Sequence, residues 1–430
     1  MVVPNSIKKI GMLVGGGPAP GINGVIAAVW YEARNLGIEV LGFQDGYRWL
    51  VEGHEIAKNH CRILQENDVR YIHNRGGSIL GTSRKNPEKH MDVVIAALKH
   101  FGVDALVSIG GDDTATSASR VFKHSGGSIL VAHVPKTIDN DLPLPGNTPT
   151  FGFETARHIG VGIVQNLMID AHTTSRWYLI VCMGRNAGHL ALGTGKAAAA
   201  TITIIPEEFK DKRIPLNHLL DVLLGAIIKR KSEDRTYGVA VLAEGLIEKV
   251  DKDELTGIIK NSNGRYGNFK LDEFGHPRLG EIEFGKLIRE FLVERMKPFP
   301  MLNKQFIDKD LGYEMRCADP IPFDVEYTRD LGYGAVKFLH TPKARESGAI
   351  INYLQGKLEP LALKLDPEKN HMETRVVEID GERYECARNY MRRLEAEDFD
   401  DSVKLQKLAA TVELSPAEFR ERFGYLVGRK

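Results

Sequence analysis

Acidic and basic side chains follow two apolar, strand-like runs of this sequence. One run leads into Gly110-Gly111-Asp112-Asp113, and the next leads into Pro135-Lys136-Thr137-Ile138-Asp139-Asn140-Asp141. Open α/β sheets build their active sites at the carboxyl ends of such strands. A carboxylate beside paired glycines offers a Mg²⁺ ligand close to a bound phosphate, and a lysine offers a cation beside candidate general bases. The two runs therefore predict a phosphoryl-transfer enzyme.

The surrounding sequence alternates strand-like runs with helical patterns, which is typical of parallel sheets covered by helices on both faces. The predicted strands are 7–14, 38–43, 104–109, 128–134, 177–183, 201–205 and 237–243. The predicted helices are 22–35, 114–124, 153–170, 187–200 and 216–231. The fold class is therefore α/β, and we expect two similar Rossmann-like αβα lobes with an active-site cleft between them.

The rest of the chain is less regular. The charged stretch at about 248–309 is interpreted as an insertion or a lobe-crossing segment. Helical stretches at 384–397, 402–411 and 417–423 are expected to form a polar tail that packs on the outside. We expect one lobe from residues 1–150 plus about 315–365, a second from 151–314, and a helical tail from 366–430.

Composition narrows the possible partners. The 430 residues include 57 basic and 57 acidic side chains, so the formal net charge is zero. Nucleic acids and membrane surfaces usually require a basic excess, and we expect neither as a partner. The widely spaced Cys61, Cys182, Cys317 and Cys386 suit a reducing cytosol. No apolar run approaches the roughly 20 residues of a membrane-spanning helix, so we expect a soluble, cytoplasmic protein.

A third glycine-rich segment, 15–23, lies between the first predicted strand and the first predicted helix. Its backbone N–H groups could hold an anion at the helix N-terminus. Steric needs also make such turns rich in glycine, so both interpretations stay open. The chain has no Walker A sequence, which argues against a Walker-type nucleoside triphosphatase.

The acidic residues also have simpler interpretations. Asp112 or Asp113 could cap the helix that follows. Asp139 and Asp141 could form an Asx turn. Neither interpretation accounts for Lys136 or for the repeated placement of charged groups at strand ends.

Two arginines flank the predicted strand 177–183. Arg185 follows it in Met183-Gly184-Arg185, and Arg176 precedes it. Arg185 could bind an anion or form a surface ion pair. Because the two arginines lie at opposite ends of one strand, they cannot share a site within one subunit. If Arg176 binds phosphate, we expect it to do so for a neighbouring subunit.

Seven segments of the chain occur in the order found in phosphofructokinases. They are the first glycine-rich loop, Gly81-Thr82-Ser83-Arg84, Gly-Gly-Asp, Thr-Ile-Asp-Asn-Asp, Met-Gly-Arg, Ala243-Glu244-Gly245 and Tyr313-Glu314-Met315-Arg316. The chain resembles this family over most of its length. Nucleotide-dependent members have glycine at the position of Asp113, and most compact bacterial members also have glycine at that of Lys136.

The pair Asp113 and Lys136 resembles the pyrophosphate-dependent branch of the family. Asp113 would place a carboxylate where the α-phosphate of a nucleotide would lie, and so would repel ATP and fill its space. Lys136 would supply a cation to the transferring group. Some ATP-dependent relatives share the lysine, so the choice of donor depends on Asp113.

The resemblance implies reversible transfer of a phosphoryl group from Mg²⁺-pyrophosphate to the 1-hydroxyl of fructose 6-phosphate. It implies that Asp139 is the proton acceptor and that Thr137 and Asp141 help to position it. Ile138 would make a further substrate contact, and Asp112 would be the Mg²⁺ ligand. The residues expected to face pyrophosphate are Gly17 and Arg84. Those expected to hold the sugar phosphate are Met183, Gly184, Arg185, Glu244, Tyr313 and Arg316, with Arg185 also counted among the catalytic groups. Arg176 would reach in from a neighbouring subunit, which implies a homodimer or a homotetramer.

The chain departs from compact bacterial members at two positions. Ile307 stands where those relatives have an arginine, with Lys304 and Lys309 nearby, and Tyr313 stands where they have histidine. No effector pocket is recognisable, and we expect no nucleotide regulation. The alternatives are an ATP-dependent phosphofructokinase and a catalytically silent regulatory member of the family.

Overall fold

A computed structural model describes residues 7–209, 213–268, 279–302, 304–363 and 374–428 of the chain. The described residues divide into two compact units. The first unit comprises the described parts of 1–156 and 313–375, and the second comprises those of 157–312 and 376–428.

The strands and α-helices of the described residues are as follows. The strands are β1 (Lys9–Val14), β2 (Glu39–Phe43), β3 (Cys61–Ile63), β4 (Ala105–Gly110), β5 (Leu130–Pro135), β6 (Trp177–Cys182), β7 (Ile202–Ile204), β8 (Gly238–Ala243), β9 (Phe306–Leu311), β10 (Ala349–Ile350), β11 (Tyr353–Leu354), β12 (Lys357–Leu358) and β13 (Leu361–Ala362). The helices are α1 (Ile22–Asn35), α2 (His54–Ala57), α3 (Glu66–Val69), α4 (Met91–His100), α5 (Asp112–His124), α6 (Phe153–Thr174), α7 (His189–Ala198), α8 (Leu216–Ser232), α9 (Lys252–Asn261), α10 (Phe284–Met296), α11 (Tyr313–Arg316), α12 (Pro322–Leu339), α13 (Lys343–Glu346), α14 (Glu382–Tyr390), α15 (Ala396–Asp400), α16 (Ser402–Thr411) and α17 (Pro416–Phe423).

The first unit is built on a seven-stranded sheet in the order β13-β10-β5-β4-β1-β2-β3. The five inner strands run parallel, whereas the edge strands β3 and β13 run antiparallel. Apolar side chains cover both faces, with Val25 of α1 and Leu331 of α12 in one cluster and Val94 of α4 and Ala118 of α5 in the other. The strand order reverses between β1 and β4. The loops after these two strands therefore open at a switch point, where open α/β sheets bind ligands.

The second unit contains a four-stranded parallel sheet in the order β7-β8-β6-β9. Strands β6 and β8 are buried along their whole length, as expected of parallel strands with both faces covered. Both units thus combine a mainly parallel sheet with packed helices, and the prediction of an α/β fold is confirmed.

Regular elements occupy the described part of 248–309, where the sequence suggested an irregular segment. α9 and α10 form there, and β9 pairs with β6 as an edge strand. The charged run from Asp308 to Asp310 concealed this strand. Asp308 forms an ion pair with Arg289 of α10 at 2.6 Å, so the charge is compatible with a partly buried strand. Part of the suggested insertion, 269–278, lies outside the described residues.

The helices near the C-terminus contribute to the core of the second unit instead of forming an outer polar layer. Phe399, Phe419 and Phe423 are buried in the same cluster as Leu219 and Leu223 of α8. The polar composition of these helices obscured their few large apolar side chains. α14 also ends earlier than predicted, at Tyr390.

Two further expectations can be compared with the structure. The four cysteines all lie in the described ranges and none of them forms a disulfide; Cys182 is buried, while Cys317 and Cys386 are exposed. No helix among the described residues is both long enough and apolar enough to cross a bilayer.

Candidate active site

Lys136 extends from the end of β5 to the glycine-rich loop that follows β1. Its side chain is buried, with only 4% of its surface exposed, and its Nζ donates a hydrogen bond to the carbonyl oxygen of Gly17. Gly16 has a positive φ of 82°, and a Cβ placed there would stand 3.2 Å from the lysine Nζ. Glycine at position 16 therefore serves both the backbone conformation and the close approach of the ammonium group.

Two arginines lie beside the same loop. A Cβ on Gly17 would stand 3.2 Å from Nη1 of Arg316 and 3.9 Å from Nη2 of Arg84. The segment that carries Arg84 is fixed to the loop, because Oγ1 of Thr82 donates to the carbonyl oxygen of Gly16 at 2.7 Å. Counting the lysine, three cationic side chains converge on this part of the first unit.

The electrostatic environment of Lys136 is that of an anion site. Burial lowers its pKa to about 8, and the positive charges of Arg84 and Arg316 act in the same direction. The carboxylates of Asp139 and Asp141 raise this pKa and offset only part of the effect. Desolvated cations are unfavourable neighbours unless an anion joins them. The cluster can therefore bind a compact anion of high charge.

The turn that carries Asp139 is held by its uncharged neighbours. Oγ1 of Thr137 accepts a hydrogen bond from the backbone N–H of Asp139 at 3.0 Å. Thr150 donates its hydroxyl to the carbonyl oxygen of Thr137 at 2.8 Å and its N–H to Oδ1 of Asn140 at 3.1 Å. Asn140 has the left-handed conformation, with φ of 57°. The buried Ile138 anchors the turn from inside.

Asp141 follows this turn in a desolvated position. Burial raises the pKa of its carboxyl group, whereas a hydrogen bond from Thr137 and the charge of Lys136 lower it, and the net direction is upward. The carboxyl groups of Asp139 and Asp141 thus lie in one electrostatic cluster with the lysine ammonium group. Such a cluster can accept a proton from a substrate hydroxyl while a cation faces the transferring group.

A buried histidine connects the ends of β4 and β5. Nε2 of His133 donates to the carbonyl oxygen of Gly110 at 3.0 Å, and the Ser108 hydroxyl pairs with Nδ1 at 2.8 Å. Burial lowers the pKa of His133 to about 3, so the imidazole is neutral near neutral pH. The same Gly110 carbonyl accepts the backbone N–H of Lys136 at 2.8 Å. This network fixes the two strand ends side by side.

Asp112 and Asp113 occupy the first turn of α5, which begins two residues earlier than predicted. Gly111 is the N-cap residue, and no side chain caps this helix. The acidic residues therefore belong to a helix start and not to a loop, and neither is the N-cap residue. Carboxylates are favoured at this end of a helix because of its dipole.

Four of the residues predicted to hold the sugar phosphate lie in the second unit, at the ends of β6 and β8: Met183, Gly184, Arg185 and Glu244. Gly184 donates its N–H towards Oε2 of Glu244 at 3.4 Å, and Gly245 donates its N–H to the carbonyl oxygen of Gly184 at 3.1 Å. Gly184 has a φ of 138°, a conformation that favours glycine. Met183 and Arg185 flank it directly, so these adjacent strand ends form one group.

Arg176 lies at the other end of β6. Its carbonyl oxygen accepts the N–H of Gly238 at the start of β8. A strand of six residues spans roughly 20 Å, which separates Arg176 from Arg185 as the sequence predicted. To bind the same sugar phosphate as Arg185 of its own subunit, the Arg176 side chain would have to cross that distance.

Tyr313 and Arg316 belong to α11 in the first unit. The Arg316 guanidinium lies 4.6 Å from the centre of the Tyr313 ring, and the ring is 67% exposed. Arg316 also lies against Gly17, among the groups predicted to face pyrophosphate. Its contact with a sugar phosphate stays a prediction.

The sequence profile described as Phosphofructokinase matches residues 9–339. The chain belongs to the phosphofructokinase family. It is 48% identical over 424 residues to the pyrophosphate–fructose 6-phosphate 1-phosphotransferase of Thermotoga maritima. This match covers 97% of this chain and 98% of that protein. It is 45% identical over 441 residues to the protein of the same name from Naegleria fowleri, with 99% and 98% covered. The resemblance inferred from the motifs is confirmed.

The fold of this phosphofructokinase is similar to that of a solved family member. The match to the crystal structure of Pichia pastoris phosphofructokinase in the T-state has a TM-score of 0.65 at 20% identity. It covers 98% of this chain, which spans 39% of the length of that yeast chain. At this identity the likeness supports the fold and not the choice of substrate.

Phosphofructokinase chemistry implies a Mg²⁺ ion, for which Asp112 is the predicted ligand. Within the described ranges, no three histidine, cysteine, aspartate or glutamate side chains are grouped as a metal site. Mg²⁺ commonly keeps several waters and is bound by one or two carboxylates together with substrate phosphates. Asp112, with Asp113 beside it at the start of α5, suits a site of that kind.

The arginine that compact bacterial phosphofructokinases have at the position of Ile307 falls in β9 of this chain, opposite Tyr178 of β6. Side chains alternate between the two faces of a strand, so Lys309 lies on the same face as Ile307. Lys304 precedes the strand, two positions before Phe306. Lys309 therefore lies on the strand face that the arginine would occupy, and Lys304 lies outside the strand.

Sequence reasoning missed two residues that support the predicted site. His133 carried a signal, because it is a titratable residue inside the apolar run 128–134. Arg375 carried none: it lies far along the chain, yet it makes hydrogen bonds to the turn at Asn140. Only the folded chain reveals this second contact.

Proposed function

We propose that this chain catalyses reversible transfer of a phosphoryl group from pyrophosphate to the 1-hydroxyl of fructose 6-phosphate, giving fructose 1,6-bisphosphate and orthophosphate. The observation that carries this function is the near-complete match to two relatives named for this reaction, at 48% and 45% identity. Asp113 and Lys136, the residues that resemble the pyrophosphate-dependent branch, support the same donor.

Pyrophosphate is proposed to bind at the cationic cluster beside Gly17. Three positive charges surround this position, from Lys136, Arg84 and Arg316, and they suit a small, highly charged anion such as a diphosphate. Because Gly17 has no side chain, its backbone stays accessible to the anion. Asp113 would disfavour a nucleotide at the next position along the donor, because its carboxylate repels an α-phosphate.

Fructose 6-phosphate is proposed to bind at the ends of β6 and β8. Glu244 is a candidate partner for the sugar hydroxyls. Arg185 would bind a charged oxygen of the sugar phosphate or of the transferring group. Tyr313 would contact the sugar where compact bacterial relatives have histidine.

Asp139 is proposed to accept the proton of the 1-hydroxyl as that oxygen bonds to the terminal phosphorus of pyrophosphate and the bridging P–O bond breaks. The released orthophosphate carries away the bonding electron pair and stays close to Lys136. The turn held by Thr137 and Asn140 supports this role, since it orients Asp139 through its own backbone N–H. Ordering the base before substrate binds lowers the entropic part of the barrier.

Asp112 is the residue that we propose for Mg²⁺, which when bound to pyrophosphate neutralises part of the charge of the leaving orthophosphate. The assembly is proposed to be a homodimer or a homotetramer in which Arg176 serves the neighbouring subunit. A cytoplasmic location stays a prediction from the cysteine pattern.

The reverse reaction tests this function without relying on the choice of nucleotide. The chain would be incubated with fructose 1,6-bisphosphate, Mg²⁺ and orthophosphate, and pyrophosphate and fructose 6-phosphate would be measured. We expect both products in equal amounts, and neither when orthophosphate is left out. Fructose 6-phosphate without pyrophosphate would indicate simple hydrolysis and would contradict the proposal.

A further inference from the structure

Arg375 binds the turn after Asp139 with both its backbone and its guanidinium group. Its N–H donates to the carbonyl oxygen of Asp141 at 2.7 Å, and its Nε donates to that of Asn140 at 3.0 Å. Nη1 donates to the carbonyl oxygen of Thr148 at 2.9 Å, and Nη2 donates to Oδ1 of Asn140. One residue thus ties together both ends of the segment 140–148.

These bonds hold a left-handed backbone conformation that asparagine adopts more readily than most other residues. Asn140 has a positive φ of 57°, which is uncommon for residues other than glycine. Oδ1 of Asn140 accepts hydrogen bonds from Arg375 and from the N–H of Thr150, so the side chain as well as the carbonyl is held. Because Asn140 directly follows Asp139, its conformation sets the direction in which the chain leaves the proposed base.

The environment of Arg375 is not that of a surface ion pair. Burial lowers its pKa, while the charge of Asp141 and the nearby Tyr327 raise it. The guanidinium group uses its planar arrangement of donors on three acceptor atoms, which a lysine ammonium cannot reproduce. The interaction therefore depends on geometry as well as on charge.

We propose that Arg375 is a positioning residue for phosphoryl transfer, which holds the Asn140 turn so that the Asp139 carboxylate meets the sugar hydroxyl in the reactive geometry. The proposal rests on the function proposed above. Arg375 acts through Asn140 and Asp141 and is not assigned a contact with substrate. A displacement of about 1 Å at a reacting group can cost about 10²-fold in rate, which sets the expected size of the effect.

The test compares steady-state kinetics of Arg375→Ala and Arg375→Lys with the unmodified chain. We expect the alanine variant to lose about 10²-fold in kcat, with the KM for fructose 6-phosphate little changed. Guanidinium chloride at millimolar, non-denaturing concentration should restore part of kcat, whereas ammonium chloride at the same concentration should not. The lysine variant should stay as slow as the alanine variant, because it keeps the charge but loses the planar donors.

Arg388→Ala is the matched control. Arg388 forms a two-bond ion pair with Glu395 at 2.7 and 3.0 Å in the second unit, so its loss removes a comparable contact elsewhere. We expect this variant to lose thermal stability, to keep its kcat, and to show no response to guanidinium. Amide hydrogen exchange provides a readout that does not depend on activity: peptides covering 137–150 should exchange faster in Arg375→Ala and recover with guanidinium.

Three results would overturn the positioning role. The first is an unchanged kcat in Arg375→Ala. The second is a kcat in Arg375→Lys equal to that of the unmodified chain. The third is a loss of kcat in Arg375→Ala that guanidinium does not restore and that is not accompanied by faster exchange at 137–150. If the unmodified chain used only ATP, the proposed donor would be wrong. The same comparison with ATP, together with the exchange data, would then still decide the role of Arg375.

Discussion

The ammonium group of Lys136 donates a hydrogen bond to the carbonyl oxygen of Gly17, which joins the loops after β5 and β1 through a buried cation. A carbonyl oxygen carries only a partial negative charge, so it attracts this ammonium group less strongly than an ionised phosphate oxygen would. An anion that entered between Lys136, Arg84 and Arg316 would therefore replace a poor acceptor with a better one. This relationship leaves the buried lysine available to an anion that binds beside Gly17.

The protonation of Lys136 should limit activity at high pH. Its pKa is lowered to about 8, so the ammonium form that attracts pyrophosphate is present below that pH and is lost above it. We expect kcat/KM for pyrophosphate to fall as the pH rises through about 8. The corresponding fall in kcat should occur at higher pH, because a bound anion raises the pKa of the lysine again.

Lys136→Met separates this effect from the ionisation of the substrate. The variant should be slower by about 10²–10³-fold, and its pH profile should retain only the ionisation of pyrophosphate itself. A basic limb near pH 8 that persisted unchanged in Lys136→Met would assign the limb to another group.

Asp139→Asn should remove the proposed proton acceptor while keeping the shape of the side chain. We expect kcat to fall by about 10²–10⁴-fold, with binding of fructose 6-phosphate largely intact by calorimetry. Asp92→Asn, at an exposed position of α4, is the control and should keep full activity. Turnover like that of the unmodified chain in Asp139→Asn would refute the assignment of the base.

Asp113 should be the main barrier to ATP. Replacing it with asparagine removes the charge but keeps the bulk, and replacing it with glycine removes both. Because opposing like charges costs several kcal/mol, we expect ATP-dependent turnover to become detectable in Asp113→Asn and to be larger in Asp113→Gly. Glycine in the first turn of α5 should also cost about 1 kcal/mol of stability. If neither variant gained affinity for ATP, the exclusion argument would fail.

His133 should make the protein less stable in acid. Its folded-state pKa is about 3, below the ordinary value of about 6.5. Below pH 6.5 the unfolded chain binds a proton that the folded chain does not, so stability falls until about pH 3. At pH 5 this contribution amounts to about 2 kcal/mol relative to pH 7.

Urea denaturation of the unmodified chain and of His133→Gln at the two pH values measures this difference. The glutamine variant cannot titrate, and its free energy of unfolding should decline by about 2 kcal/mol less between pH 7 and pH 5. Equal declines in the two proteins would show that His133 does not cause the loss.

The sequence predicted the elements that carry the site better than the contacts that support it. Buried parallel strands such as β4 and β5 are continuous apolar runs, and their ends place Asp112 and Lys136 by topology alone. β9 was missed because Asp308 and Asp310 break the apolar pattern. Arg375 could not be found, since its hydrogen bonds to Asn140 depend on a close approach of segments more than two hundred residues apart.

Arg176 should act across a subunit interface. Arg176→Ala and Asp139→Asn should each be nearly inactive alone. In a mixed dimer, one site would combine an intact Asp139 with an intact Arg176 from the other subunit, so random exchange should restore about a quarter of full activity. Activity would be measured after the two purified variants are unfolded together and refolded. No recovery in a mixture shown to contain hybrids would place Arg176 in its own subunit's site or outside the chemistry.

The most direct test of the account is formation of fructose 1,6-bisphosphate from fructose 6-phosphate and Mg²⁺, with pyrophosphate and ATP supplied in parallel reactions. The account predicts product with pyrophosphate and none with ATP. Product with ATP alone would keep the family and contradict the role given to Asp113, and no product with either donor would contradict the proposed enzyme.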